Sequence, residues 1–216
     1  MITKEFKHRF FTSLILLLIV FIVIFSNFFL TFVLIVLGVF SLIEFFNITK
    51  KIFYKKISYF IFNLIFILYI FIFCLMFFYL SQYYQLKIIL YALLLCCIFS
   101  DIGGFIFGKI FKGPKLTRIS PNKTFSGALG SIFSSVLILS TIFFYFTGSF
   151  EMKIIILGII TSLANQLGDL FFSFLKRKAN IKNTGKILPG HGGVLDRLDG
   201  ILFGLPLGLM SLMIIY

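Results

Sequence analysis

Long apolar runs alternate with short polar connectors from one end of this chain to the other. At about 20 residues per bilayer crossing, the runs predict spans at roughly 10–26, 28–47, 58–80, 87–108, 128–147, 153–173 and 199–215. The fold class this pattern predicts is all-α, a polytopic transmembrane helical protein with about seven spans. Up to residue 95 the strongly polar side chains keep to span ends, apart from Glu44 and Asn63, and that stretch reads as membrane anchor. Beyond it come Asp101, Gly103, Gly104, Gly108, the run Ser120 to Gly127, Asn165, Gln166, Asp169, and a polar segment from Lys176 to Asp199. The expected organisation is therefore an anchor at 1–95 and a catalytic membrane domain at 96–216.

Composition removes the soluble alternative. Of the 216 residues, 60% are apolar or aromatic and 12% are charged, with a mean hydropathy of +1.12; soluble domains carry about a quarter charged residues. The net charge of +13 raises nucleic acid as a partner, so the position of the cations decides. Starting from the N-terminus, every second connector is basic, and 18 of the 20 Lys and Arg fall on one side, leaving Lys87 and Lys153 on the other. Cation-rich short connectors face the cytoplasm. This predicts a cytoplasmic N-terminus, with the excess charge facing anionic head groups and no nucleic acid needed to explain it.

The first span follows Lys4, Lys7 and Arg9, as a signal peptide would, but Ser26-Asn27 leads straight into another apolar run without a small-residue cleavage site. It is expected to stay as an anchor. Cys74, Cys96 and Cys97 fall inside spans without a metal-ligand spacing and read as packing residues.

Candidate chemistry concentrates near the C-terminus. Asn165, Asp169 and Ser173 recur at i, i+4, i+8, and Lys176 and Arg177 continue the face towards the connector. For Asn165 and Gln166 alone, a hydrogen-bonded seam between helices is the plainer reading. Asp101 and Asp169 are costly inside a span and are functional candidates by default. In Pro189-Gly190-His191-Gly192-Gly193 the glycines allow close backbone approach to an anion. Asp196 and Asp199 stand i, i+3 and, if the last helix has begun, share a face that could hold a hard cation with Asp169; the plainer reading of Asp199 alone is a helix start. Carboxylates together with Lys176, Arg177, Lys182, Lys186 and Arg197 suit Mg²⁺-assisted phosphoryl or nucleotidyl transfer. A phosphate nucleophile is already ionised, which fits the lack of a Ser-His-Asp or Cys-His arrangement.

These residues also carry a resemblance. Ser173-Phe174-Leu175-Lys176-Arg177, Lys182, Gly185 and Leu188 to Asp199 closely resemble the signature of the phosphatidate cytidylyltransferases, or CDP-diacylglycerol synthases. Ser120 to Gly127 is similar to that family's S-P-K-K-T-W-E-G loop, and Asp101 to Lys109 to its D-x-x-A-Y-x-x-G-R/K stretch. The chain departs from the pattern at Asn183 (usually Asp), Ser126 (usually Glu) and Phe172 (commonly acidic), each time losing a negative charge. The resemblance implies transfer of CMP from CTP to phosphatidate, giving CDP-diacylglycerol and pyrophosphate, in a bacterial inner membrane. It implies Asp169 and Asp196 as Mg²⁺ ligands with Asp199 supporting, and leaves a second, monovalent cation open. Lys176, Arg177 and Arg197 then hold phosphates and the His191, Gly192 and Gly193 loop meets the nucleotide. Ser120, Lys123 and Thr124 form a second contact, with Ser173, Lys182 and Asp101 at the substrate. A homodimer is left open. The rival readings are a CTP-dependent polyprenol or phytol kinase, which releases CDP, and a transporter or channel using Asp101 and Asp169 as a cation path.

Overall fold

The computed structural model describes Leu18 and residues 22–117, 120, 123–185, 187 and 192–215. After the helical residues Leu18 and 22–25 come α1 Asn27–Ile52, α2 Lys56–Ser81, α3 Tyr84–Phe111, α4 Phe125–Thr147, α5 Met152–Lys178, the single turn α6 Leu195–Leu198, and α7 Ile201–Ile215. Among the described residues, six helical stretches are long and apolar enough to cross a membrane, α6 and α7 counting as one. The protein is thus an all-α, polytopic membrane protein. The first expected span lies largely outside the described residues.

Two boundaries differ from expectation for physical reasons. The helix expected at 153–173 runs on to Lys178, because Lys176, Arg177 and Lys178 in its last turn favour the negative end of the helix dipole. The last span does not begin at Asp199: α6 ends at Leu198, residues 199 and 200 form a turn, and α7 starts at Ile201. Asp196 and Asp199 therefore do not share one continuous helical face.

The chain divides into two compact units, residues 1–83 with 175–198, and residues 84–174 with 199–216. It passes between them just before α3, within α5 and again after α6.

In the first unit, α1 and α2 pack through aromatic and polar contacts. Phe45 stacks on Phe66 with ring centroids 3.8 Å apart. Thr49 Oγ1 donates to Asn63 Oδ1 at 2.8 Å, which satisfies a buried amide that lipid could not. Ser26 caps α1 by accepting from the Phe29 N–H at 3.3 Å.

In the second unit, α3 and α4 meet through small residues. A Cβ added to Gly127 would lie 2.8 Å from the Gly104 carbonyl oxygen, and one added to Gly130 would overlap the Phe107 side chain at its root. Without a hydrophobic drive between helices in lipid, this closeness supplies the packing. Leu93, Cys96, Leu139 and Leu157 form the buried centre. Gly148, at φ +71°, ends α4 in the left-handed conformation.

Candidate active site

In the second unit the connector before α4 folds back on itself. Lys115 and Thr124 form an antiparallel bridge, the Leu116 N–H donates to the Lys123 carbonyl at 2.8 Å, and the Phe125 N–H donates to the Pro114 carbonyl at 3.1 Å. Thr124 caps α4 by accepting from the Gly127 N–H at 3.1 Å. Ser126 donates to the Lys112 carbonyl, so the hydroxyl standing where the resembled loop has Glu ties the connector together. This turn presents Lys123, whose ammonium pairs with Asp169 on α5. Ser173, one helical turn further along, donates to Asp169 Oδ1 at 3.2 Å.

One turn back on α5, Asn165 is fully buried. Its amide donates to Asp101 Oδ1 at 2.8 Å and to the Cys97 carbonyl at 3.4 Å, while its own Oδ1 is buried without a hydrogen-bond partner among the described residues. Gln166 donates to the Ala128 carbonyl and to Ser162, both at 3.3 Å. Asn165 and Gln166 thus form the helix seam that their spacing allows, and the seam holds Asp101 close to the Asp169 face. Asp199 is buried, with its Oδ1 accepting from the Gly200 N–H at 3.0 Å. Phe172 is 1% exposed and packs edge-on against Phe171 and Phe203. An acid at this position would be buried among rings, which accounts for an apolar residue there.

In the first unit the second carboxylate centre is Asp196. Lys176 Nζ donates to its Oδ1 at 2.9 Å. The N–H groups of Thr184 and Gly193 donate to its Oδ2 at 2.8 and 3.0 Å. Gly192 has φ +87°, and a Cβ there would sit 2.9 Å from Asp196 Oδ2, so the tight turn beside the carboxylate requires glycine. Arg177, Lys182 and Arg197 are exposed. His191 lies outside the described residues, as do Arg118, Pro121, Asn122, Lys186 and Leu188 to Gly190.

The structure thus brings together Lys123, Asp169 and Ser173, then Asp101 with Asn165, and, in the other unit, Lys176 with Asp196 and the backbone of Thr184 and Gly193. Among the described residues no three His, Cys, Asp or Glu side chains gather into a metal-binding group. Sequence reasoning noted Glu44 inside an apolar run but gave it no role. It is 2% exposed and accepts from Thr184 Oγ1 at 2.5 Å and from the N–H groups of Val194 and Leu195, both at 2.9 Å. The signal was available: a carboxylate inside an apolar helix, which the same reasoning took seriously at Asp101.

Fold and site together define a helical integral membrane protein with two carboxylate centres, each held against a lysine. The sequence model of the cytidylyltransferase family matches residues 15–215, and the chain belongs to that family. It is 47% identical over 136 residues to a phosphatidate cytidylyltransferase of Staphylococcus aureus (strain COL), a stretch covering 61% of this chain and 51% of the relative. It is likewise 47% identical over 122 residues to that of Helicobacter pylori (strain ATCC 700392 / 26695), covering 56% and 45%. It is 41% identical over 134 residues to that of Staphylococcus haemolyticus (strain JCSC1435), covering 61% and 51%. The match spans about half the length of these curated relatives.

Proposed function

We propose that this chain is a phosphatidate cytidylyltransferase of a bacterial inner membrane, with its N-terminus and basic connectors in the cytoplasm. A phosphate oxygen of phosphatidate attacks the α-phosphorus of CTP. The bond from that phosphorus to the bridging oxygen breaks, and pyrophosphate leaves with the bond electrons. The products are CDP-diacylglycerol and pyrophosphate. The nucleophile is already ionised, so no side chain has to remove a proton.

The observation that carries the reading is the doubled pair, Lys123 with Asp169 and Lys176 with Asp196. Oxygen-only carboxylates suit a hard divalent ion, and Mg²⁺ is commonly held by one or two carboxylates with substrate phosphates and water completing the shell. Taken singly, Asp169 and Asp196 are each an oxygen donor of the kind Mg²⁺ takes, with Asp199 as a supporting acid and Asn165 Oδ1, without a hydrogen-bond partner among the described residues, one turn from Asp169. Bound there, the ion supplies charge neutralisation on the phosphates. Lys123, Lys176, Arg177, Lys182 and Arg197 hold phosphate oxygens, the Gly192-Gly193 turn offers backbone close to the nucleotide, and Ser120, Thr124 and Ser173 supply hydroxyls. The catalytic assignment stays with residues 96–216 and the anchoring role with 1–95.

The test is turnover by membranes containing the protein, supplied with labelled CTP, phosphatidate and Mg²⁺. Labelled CDP-diacylglycerol is expected, and Asp196→Asn should abolish it. Full activity in that variant would remove the metal assignment. Release of CDP in place of pyrophosphate would identify a lipid kinase.

A further inference from the structure

We infer that Glu44, in the stretch otherwise read as anchor, is a positioning residue that fixes the loop around Asp196; the inference rests on the cytidylyltransferase reading. The carboxylate lies well inside α1, yet its three hydrogen-bond donors among the described residues come from the polar segment 140 to 151 residues away: Thr184 Oγ1, the Val194 N–H and the Leu195 N–H. The Thr184 contact and the Leu195 contact fall on Oε2, and the Val194 contact falls on Oε1.

The same two pieces of chain serve Asp196. Thr184 gives its side chain to Glu44 and its N–H to Asp196. Gly193 gives its N–H to Asp196, and the next two N–H groups go to Glu44. Two carboxylates thus hold the same two pieces of chain, at 184 and at 193–195, and moving one displaces the donors of the other. The glycines show how tightly the turn closes on Glu44. A Cβ at Gly185 would lie 2.5 Å from Glu44 Oε1, and one at Gly193 would overlap both Glu44 and Thr184 Oγ1.

A carboxylate suits this place and an amide does not. Each oxygen receives a backbone N–H, so a glutamine, with one oxygen and one NH₂, leaves either Val194 or Leu195 facing a donor. A buried N–H left in that state is unfavourable, and the strand of chain bearing it shifts away. The loop then no longer holds Asp196 against Lys176 in the arrangement that phosphate transfer needs, where small displacements cost large factors in rate.

The experiment compares Glu44→Gln, Thr184→Val and Thr184→Ser in purified protein by two readouts: CTP kinetics, and hydrogen exchange of the amides at 184 and 193–196. Glu44→Gln is expected to lower kcat/KM for CTP at least tenfold with KM for phosphatidate within twofold of wild type. Exchange at 193–196 should rise at least tenfold while the middle of α2 stays protected. Thr184→Val should move both readouts the same way, and Thr184→Ser should recover most of that loss. If Glu44→Gln does not fold, the Thr184 pair decides alone. Unchanged exchange at 193–196 in the variants that fold, or activity falling only in proportion to folded protein, overturns the inference. Wild-type protein that makes no CDP-diacylglycerol would sink the activity reading instead, and the exchange measurement would still decide whether Glu44 holds the loop.

Discussion

Three of the acids, Asp196, Asp169 and Glu44, show how a carboxylate is held by donors next to lipid. Asp196 has one lysine and two backbone N–H groups, Asp169 has a lysine and a hydroxyl, and Glu44 has three neutral donors. Hydrogen bonds to a charged acceptor contribute about 1.5–3 kcal/mol each, so two or three of them offset much of the desolvation of a carboxylate. The lysine partners are the more telling, since a phosphate can claim the same ammonium. Lys123→Gln should therefore leave the fold intact, because the pair is part-exposed at 25% and 30%, while lowering CMP transfer by about tenfold, which corresponds to about 1.4 kcal/mol of barrier. Initial rates at saturating phosphatidate check this. Asp169 and Asp196 were readable from sequence, since a charge in or beside an apolar run needs a reason. Glu44 was equally visible as a charge inside an apolar run, but its partners were not, because they lie 140 to 151 residues along the chain and no local spacing reports a contact of that length.

Helices α3 and α4 are held by shape more than by apolar mass. Gly130 faces the root of the Phe107 side chain, which rotation cannot clear, so Gly130→Ala forces the helices apart. Overpacking of this kind costs about 1–3 kcal/mol, and the melting temperature of the purified protein in detergent should fall accordingly. The crossing bears on the site because α4 begins at the turn that presents Lys123. Spans were the most legible elements, since length and apolarity alone define them. Their polar ends were less so: α5 outruns its apolar stretch by five residues, to Lys178, and the break at 199–200 separates Asp196 from Asp199 although their spacing suits one helix. The turn's hydrogen bonds, which decide where α6 stops, leave little trace in residue type.

For the molecule as a whole, the alternation of basic and neutral connectors is the main statement the sequence makes about orientation. With 18 of 20 cations assigned to one side, a membrane-impermeant thiol reagent should label Lys115→Cys and Lys182→Cys only in opened cells, and Lys153→Cys in intact spheroplasts. Labelling of Lys182→Cys from outside would contradict the cytoplasmic placement of the site. Family membership and the pattern of apolar runs agree on a helical membrane protein of the cytidylyltransferase family, and what remains is the proposed reaction itself. It is tested most directly with purified protein, phosphatidate, Mg²⁺ and CTP labelled at the α-phosphate. CDP-diacylglycerol carrying the label and an equal amount of unlabelled pyrophosphate are expected; labelled CDP as the nucleotide product, or CTP left unconsumed, would contradict the proposed reaction.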